Sequence, residues 1–401
     1  MCGIVGYVGP REVRALLFSG LQKLEYRGYD SAGISVLDGE EIDLVRAVGN
    51  LANLEAAMSD EAGRTPPARP DGTGIGHTRW ATHGRVTEAN AHPHRSTNGR
   101  VHVAVNGIVE NYVALTEALR EEGVVFSSQT DAEVIAHLIS KHYEDDLAAA
   151  VRAAYQELHG HYAFVAMSAD EPGVLVGARK ECPLVVGRGD GEQFIGSAVP
   201  AFLNETNLVQ YMNDDEIVVL RPDGVEFLTV AGSPLTRAVT EVDWDAQTAE
   251  KGGYETFMLK EIHEQADAVA ETIGERADRH GRVDLGELGT ITDADLSGIE
   301  RVVVVACGTA YHAGLAGRYA IEEWARVPVD VEIASEYRYR NPVVSDRDLV
   351  VGVSQSGETA DTLAAVRIAR AAGAKVLAIT NMMGSQLTRD ADGVLFTRAG
   401  L

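Results

Sequence analysis

The chemistry in this chain starts at its second residue. Removal of Met1 makes Cys2 the first residue, so that a thiol and a free amine share one Cα. A free α-amino group titrates at about 7.7 to 8.0, which leaves a useful fraction unprotonated near neutrality. It can then act as general base for the thiol, with no histidine required. Around it, MCGIVGYVG sets Ile4, Val5, Tyr7 and Val8 between Gly3, Gly6 and Gly9. That is the pattern of a short buried strand whose glycines admit close approach to the backbone. The alternative is a buried, inert cysteine beside the start, because free cysteine is among the most buried residue types.

The densest polar cluster is GIGHTRWATHG, residues 74–84, a strand that breaks into a loop carrying His77, Thr78, Arg79, Trp80, Thr82 and His83. Binding and catalytic groups concentrate in such loops. Arg79 has the planar fork that holds a carboxylate by two bonds, or it forms a structural salt bridge. Trp80 is either a mobile lid or an amphipathic side chain packed at the loop base. His83, with His92 and His94 in NAHPH, matches no helical HExxH spacing and brings no Cys or carboxylate partner, so no metal site is expected.

Two further positions complete the set. Asn106 and Gly107 follow the apolar run VHVAV (101–105) and are expected at a strand terminus, where an amide and an open backbone N–H can face one developing oxyanion. Asn-Gly is equally the common tight-turn signal. In TDAEVIAHL (130–138), Thr130 is expected as a helix N-cap and Asp131 in the first turn, where it can hold an ammonium or merely complement the helix dipole.

These groups need a scaffold, and the composition is globular. With 401 residues, two or three domains are expected. Sixty acidic against 35 basic residues give a net charge of −25, which argues against a nucleic-acid partner and against an anionic membrane surface. No apolar run approaches a membrane span and no basic, apolar leader opens the chain, so a cytoplasmic enzyme is the default expectation. The three cysteines, 2, 182 and 307, fit neither a disulfide framework nor a CxxC metal pattern, and no motif calls for a cofactor. Cys182 and Cys307 read as core residues.

Residues 12–24 carry Val13, Leu16, Leu17, Leu21 and Leu24 at helical spacing, placing a helix on the opening strand. Arg27 and Asp30 lie in the loop EYRGYDSAG, a hairpin is expected around Asp38-Gly39, and 59–73 reads as a surface loop. The short strands HYAFVAMS, VLVGAR, PLVVG, NLVQYM and EIVVL, between about 160 and 230, are expected to supply a second sheet. Residues 232–254 lose periodicity and mark a linker, and 255–278 read as helical.

Beyond 299 the pattern changes to continuous apolar strands alternating with helices: 301–306, 329–333, 349–354, 375–380 and 393–396. Such runs indicate a five-stranded parallel sheet covered on both faces, with ligands at the strand C-terminal ends. Two of those ends run into ACGTAYHAG and SQSGETADT. Their backbone N–H groups at helix starts, with Thr309, Ser354, Ser356 and Thr359, can hold a phosphate without Lys or Arg. Neither turn is a GxxxxGK[ST] loop or a GxGxxG fingerprint, so nucleoside triphosphates and dinucleotides are disfavoured.

In order, MCGIVGYVG, EYRGYDSAG, HTRWATHG, NAHPH, NGIVEN and SQTDAEVIAHL resemble the glutaminase domain of the class II glutamine amidotransferases, the N-terminal-nucleophile enzymes. Within that class the pattern is most similar to the isomerising aminotransferases acting on fructose 6-phosphate. SQSGETADT resembles the phosphosugar loop of SIS (sugar isomerase) domains. The resemblance implies an α+β, N-terminal-nucleophile αββα sandwich at 2–231, a linker at 232–254, a helical connection at 255–298 and a flavodoxin-like αβα SIS domain at 299–401.

It further implies Cys2 as nucleophile, with Asn106 and Gly107 as the oxyanion hole. Arg79, Thr82, His83 and Asp131 would hold glutamine, and Trp80 would gate ammonia. Thr309, Ser354, Gln355, Ser356 and Thr359 would contact fructose 6-phosphate. The family's second SIS domain, with its imine lysine, ring-opening histidine and proton-moving glutamate, is expected to be missing, so that only the glutaminase half is complete. A homodimer is implied for the full-length family. Two departures stand out: Val105 where the family commonly has His, and Ala310 where it often has Ser. The competing readings are another class II amidotransferase, disfavoured by the absence of an SGGxDS loop or an acidic phosphoribosyl-pyrophosphate strand, and a non-catalytic phosphosugar sensor.

Overall fold

In the computed structural model the described residues are 2–60, 71–81, 83–242, 254, 257–274, 276–277, 280, 282–285 and 288–400. The chain divides into two compact units, Met1–Ala246 and Gln247–Leu401.

The first unit is built on the strand Gly3–Gly9, buried at every residue. It lies antiparallel between Gln193–Gly196 and Gly72–Arg79 in the middle of an eight-stranded sheet. Glycines on these strands are what let a helix approach. Gly20 of the helix Val13–Leu24 lies against the Ala201 carbonyl oxygen and Val5, and Gly74 and Gly76 admit Val13, Leu17 and Leu21 of the same helix. The opposite face of the sheet carries Ile4, Val8, Ile75 and Ile195 onto Ala104, Val165, Leu175 and Val218 of a seven-stranded sheet. That second sheet packs its outer face, through Val101, Val103 and Val105, on the helices Glu133–His142 and Leu147–Glu157. The result is four layers, αββα. Each fully buried aliphatic side chain contributes about 1.5 to 3 kcal/mol relative to exposure.

Five expectations are corrected. His77, Thr78 and Arg79, expected in a loop, lie inside the strand Gly72–Arg79, and the loop begins after them. The strands between 160 and 230 do not all join one sheet: Gly160–Ser168, Leu175–Lys180, Glu216–Arg221 and Gly224–Thr229 belong to the second, whereas Val185–Arg188, Gln193–Gly196 and Leu208–Tyr211 join the first. Short strands buried on both faces carry no alternation that could assign them to a layer. The strand expected at 101–105 runs on to Val109, so Asn106 and Gly107 sit inside it rather than at its end or in a tight turn. Thr130 is not an N-cap, because the helix begins at Glu133 after Ala132, with no side-chain cap. Both ends of the loop expected at 59–73 belong to other elements, the helix Leu51–Asp60 and the strand from Gly72, and 61–70 lie outside the described residues.

Val105 is 3% exposed and packs among the helix-facing core residues, so its side chain is part of the hydrophobic layer.

The second unit contains a parallel sheet in the order Val329–Ile333, Arg301–Ala306, Asp348–Val353, Lys375–Thr380, Gly393–Phe396. In sequence terms this is 2-1-3-4-5, the doubly wound order whose ligand crevice opens where strands one and three diverge. Ala306 pairs with Val353, and Val353 with Ile379, so the turns after all three strands share one edge. The helices Gly308–Trp324 and Ala360–Ala371 start from that edge.

Candidate active site and phosphate cradle

Cys2 precedes the central strand of the first sheet, whose pairing of Gly3 with Thr78 brings it beside the end of Gly72–Arg79. The Trp80 N–H donates to the Cys2 Sγ at 3.2 Å, and the thiol faces the Trp80 carbonyl at 3.4 Å. Burial raises the thiol pKa, against the lowering effects of the Trp80 backbone and the Arg79 charge. The thiol is therefore held neutral near pH 7 and needs a base to become a nucleophile.

The second sheet delivers Asn106. Its Nδ2 donates to the Cys2 carbonyl oxygen at 3.1 Å, and its Oδ1 lies 3.0 Å from His77 Nε2. Gly107 follows with φ +97°, and a Cβ there would stand 2.0 Å from the His161 carbonyl oxygen and 2.9 Å from Cys182 Sγ. Only glycine fits that combination of dihedral and contact. Cys182, expected in the core, is partly buried and walls this position.

Arg79 is 3% exposed, yet among the described residues its guanidinium bonds to backbone alone. Nη1 donates to Arg85 O at 3.2 Å, and Nη2 donates to His83 O and, at 3.3 Å, to Gly84 O. Burial lowers its pKa, while the charges of Cys2, Asp30 and Asp131 act in the opposite direction. A buried cation surrounded by neutral carbonyls retains its attraction for an incoming carboxylate. Asp131, 5% exposed, accepts the Val109 N–H at 2.7 Å, and burial raises its pKa. Its charge and that of Arg79 bear on each other, which sets a carboxylate and a guanidinium near one another at this end of the sheets.

His83 lies edge-on to Tyr112 with ring centroids 4.9 Å apart, and Trp80, 43% exposed, lies edge-on to Tyr29 at 5.3 Å. Thr82 lies outside the described residues. Asp30, left open by the sequence, accepts the Ala81 N–H at 2.8 Å and donates its own N–H to Arg79 O at 3.0 Å, bracing the Arg79–Ala81 corner.

Three residues of consequence were missed. His77 contacts Asn106 as above. Asn90 accepts the Gln129 N–H at 2.8 Å and donates to Arg85 O at 2.9 Å. Glu133, fully buried, accepts the N–H groups of Ser127 and Ser128, both at 2.7 Å, and fixes the loop before Asp131. A polar residue at a position otherwise patterned for burial was the available signal for His77 and Glu133. Among the described residues no cluster suited to a metal ion occurs, and Thr130 takes His94 Nε2 at 2.8 Å through its hydroxyl.

In the second unit, Ser354 Oγ lies 2.8 Å from Thr359 Oγ1 and 3.5 Å from Ser356 Oγ, and it accepts the Gly357 N–H at 3.1 Å. Ser356 Oγ accepts the Glu358 N–H at 3.2 Å. Gly357 holds φ +64°, and Thr359 is the residue before the helix Ala360–Ala371. The Gln355 side chain is exposed, and its carbonyl is tied to Asn381 N at 3.0 Å. Thr309 is exposed in the first turn of Gly308–Trp324, with Ala310 beside it, on the same sheet edge. This concave run of hydroxyls and helix-start amides has the chemistry of a phosphate cradle.

The family described as a glutamine amidotransferase domain matches residues 77–204, and that described as a SIS domain matches 295–400. Over the whole chain the sequence is 48% identical to a glutamine–fructose-6-phosphate aminotransferase (isomerizing) of Caldanaerobacter subterraneus, covering 65% of that protein. It is 50% identical to the protein of the same name from Mycolicibacterium smegmatis, again spanning 65% of its length. The fold is also similar to a glutamine phosphoribosylpyrophosphate amidotransferase from B. subtilis, with a TM-score of 0.50 at 19% identity, covering 99% of this chain and 90% of that one. At that identity the likeness concerns fold alone.

Proposed function

We propose that the chain, 48 to 50% identical to glutamine–fructose-6-phosphate aminotransferases along 65% of their length, belongs to that family and that its first unit hydrolyses the side-chain amide of glutamine. The single observation that carries the proposal is the convergence of Cys2 and the Asn106 amide, 3.1 Å from the Cys2 carbonyl, beside the carbonyl-caged Arg79. Arg79 takes the glutamine α-carboxylate and Asp131 the α-ammonium, with Thr82 and His83 lining the pocket. Once Met1 is removed, the Cys2 amine accepts the thiol proton and Sγ attacks the amide carbon. Asn106 Nδ2 and the Gly107 N–H receive the developing oxyanion. The amine returns the proton to the leaving nitrogen, ammonia departs past Trp80, and water then hydrolyses the γ-glutamyl thioester.

The second unit is assigned the acceptor side. Thr309, Ser354, Gln355, Ser356 and Thr359 bind the phosphate end of fructose 6-phosphate, within a reaction that yields glucosamine 6-phosphate and glutamate. The domain limits that go with this are 2–231 for the glutaminase, 232–254 for the linker, 255–298 for the helical connection and 299–401 for the SIS domain. A cytoplasmic setting and a homodimeric assembly complete the proposal, as the family resemblance of the sequence motifs implies. No helix among the described residues is long and apolar enough to cross a membrane.

The test is glutamate release from glutamine by the wild type, by Cys2→Ala and by Ser354→Ala. The proposal requires release by the wild type and by Ser354→Ala, with none by Cys2→Ala. Titration with fructose 6-phosphate should then show binding that Ser354→Ala weakens. Hydrolysis that survives Cys2→Ala would overturn it.

A further inference from the structure

We propose that His77 is a positioning residue that fixes which end of the Asn106 amide faces Cys2. The argument begins from an atom with no choice. The Cys2 carbonyl oxygen can only accept, so the Asn106 atom 3.1 Å from it is Nδ2. Oδ1 is then the atom facing His77 Nε2 at 3.0 Å, and an amide oxygen can only accept. His77 Nε2 must therefore carry a proton. The tautomer is set by the chain of partners, and with it the amide orientation.

The orientation matters because the two ends of the amide are opposite in sign. With Nδ2 toward Cys2, a donor awaits the oxyanion; a flipped amide would aim an acceptor at the same developing charge and oppose it. Hydrogen bonding to a neutral imidazole, held neutral by complete burial, keeps the donor in place without putting a second full charge beside the thiol.

The ring itself is held. His77 stacks on His92 with centroids 4.2 Å apart and an interplanar angle of 15°. His92 in turn accepts the Val105 N–H through Nδ1 at 3.3 Å and lies against His94 at 4.3 Å. His94 Nε2 pairs with Thr130 Oγ1 at 2.8 Å. The three imidazoles form a buried column running from the oxyanion side of the pocket to the loop that precedes Asp131. Mobile solvent has no access to rotate His77 away, so the amide is preorganised in the empty site.

The inference rests on the reading of Asn106 as an oxyanion donor, and the experiment separates the two. Glutamine hydrolysis is measured for the full 401-residue chain carrying His77→Leu, His77→Gln, Asn106→Ala, and His77→Leu with Asn106→Ala. His77→Leu should lower kcat about 10- to 100-fold with KM changed less than about threefold, because only transition-state binding is lost. His77→Gln, which keeps a donor, should recover most of that loss. The double variant should be no slower than Asn106→Ala alone, since a residue acting through a partner has no effect once the partner is gone. Full multiplication of the two single effects, a change in KM alone, or a folded His77→Gln as slow as His77→Leu would overturn the inference. An Asn106→Ala variant of unchanged kcat would instead remove the oxyanion reading. Nitrogen-15 spectra of the wild-type imidazoles give a measurement independent of any variant: a His77 protonated at Nδ1 rather than Nε2 would also overturn it.

Discussion

Arg79 and Asn90 donate to the same acceptor, the Arg85 carbonyl oxygen, at 3.2 and 2.9 Å. Asn90 also accepts the Gln129 N–H at 2.8 Å, one residue before Thr130 and two before Asp131. One amide side chain thus ties the carbonyl cage of the proposed carboxylate clamp to the loop that carries the proposed ammonium site. The spacing between the two charged groups is set by backbone atoms, which a substrate cannot displace easily.

Asn90→Ala should therefore impair glutamine binding more than turnover. Loss of a buried bridging amide leaves the Gln129 N–H without its side-chain acceptor and costs about 1 to 3 kcal/mol. The expected outcome is a KM for glutamine raised about 10-fold with kcat within a few-fold of wild type. A fall in kcat at unchanged KM would show that the bridge serves the reacting centre instead.

Gly107→Ala should damage folding before chemistry. The new Cβ would meet the His161 carbonyl oxygen at 2.0 Å, and φ +97° disfavours any side chain. Backbone cannot retreat here as a flexible side chain could, because Gly107 pairs with Tyr162 across the strand. A loss of about 2 to 4 kcal/mol is expected from strain and overpacking together, read as a lower urea midpoint. Unchanged stability would mean that the strand can straighten at this point.

Activity should require the free amine of Cys2. Burial keeps the thiol protonated, and of the described groups that act on it Arg79 is a cation and the Asp30 carboxylate already accepts the Ala81 N–H, which leaves the terminal amine as the base. A chain with Met1 retained, or with an uncleaved N-terminal extension, should fold with an unchanged circular dichroism spectrum and hydrolyse no glutamine. Full hydrolysis by such a chain would remove the amine from the mechanism.

How much of this was legible beforehand can be judged residue by residue. The parallel sheet was visible because its strands are continuous apolar runs with helices between them, and Ser354 and Thr359 stand at the ends where such sheets bind ligands. Arg79 was found as a charge in an expected loop and Asp131 as one in an expected first helical turn, but the carbonyl cage was not, since no sequence pattern encodes which backbone oxygens turn inward. Asn106 was found and misplaced. A strand that bends at a left-handed glycine and continues reads, in one dimension, like a strand that stops. His77 and Glu133 act through partners 29 and up to 6 residues away, and only the first of those separations crosses from one sheet to the other.

The buried histidines should make the fold acid-sensitive within a defined window. Burial pulls His77, His94 and His102 down to about 3 from an ordinary value of 6.5, and His92 well below it. Below pH 6.5 the unfolded chain takes up protons at these sites and the folded chain does not, so stability rises with pH and is lost as the pH falls from 6.5 toward 3. Asp131 and Glu171, raised by burial, act with the opposite sign, as two groups against four. Each histidine that stays neutral in the fold removes about 1.4 kcal/mol per pH unit once the pH is well below 6.5. Glu133, held below its ordinary 4.5 by His137, Ser127 and Ser128 despite its burial, adds to the loss only at still lower pH, so in the range from about 6.5 to 4.5 the four histidines are set against the two raised carboxylates and outnumber them. Urea midpoints measured across that range should fall steeply. His102, bonded through Nδ1 to Ser35 Oγ at 2.8 Å and not in contact with Asn106, is the position to vary. His102→Gln should leave a shallower fall, by the contribution of one proton, with glutamine hydrolysis preserved. An equally steep fall in the variant would place the acid sensitivity elsewhere in the chain.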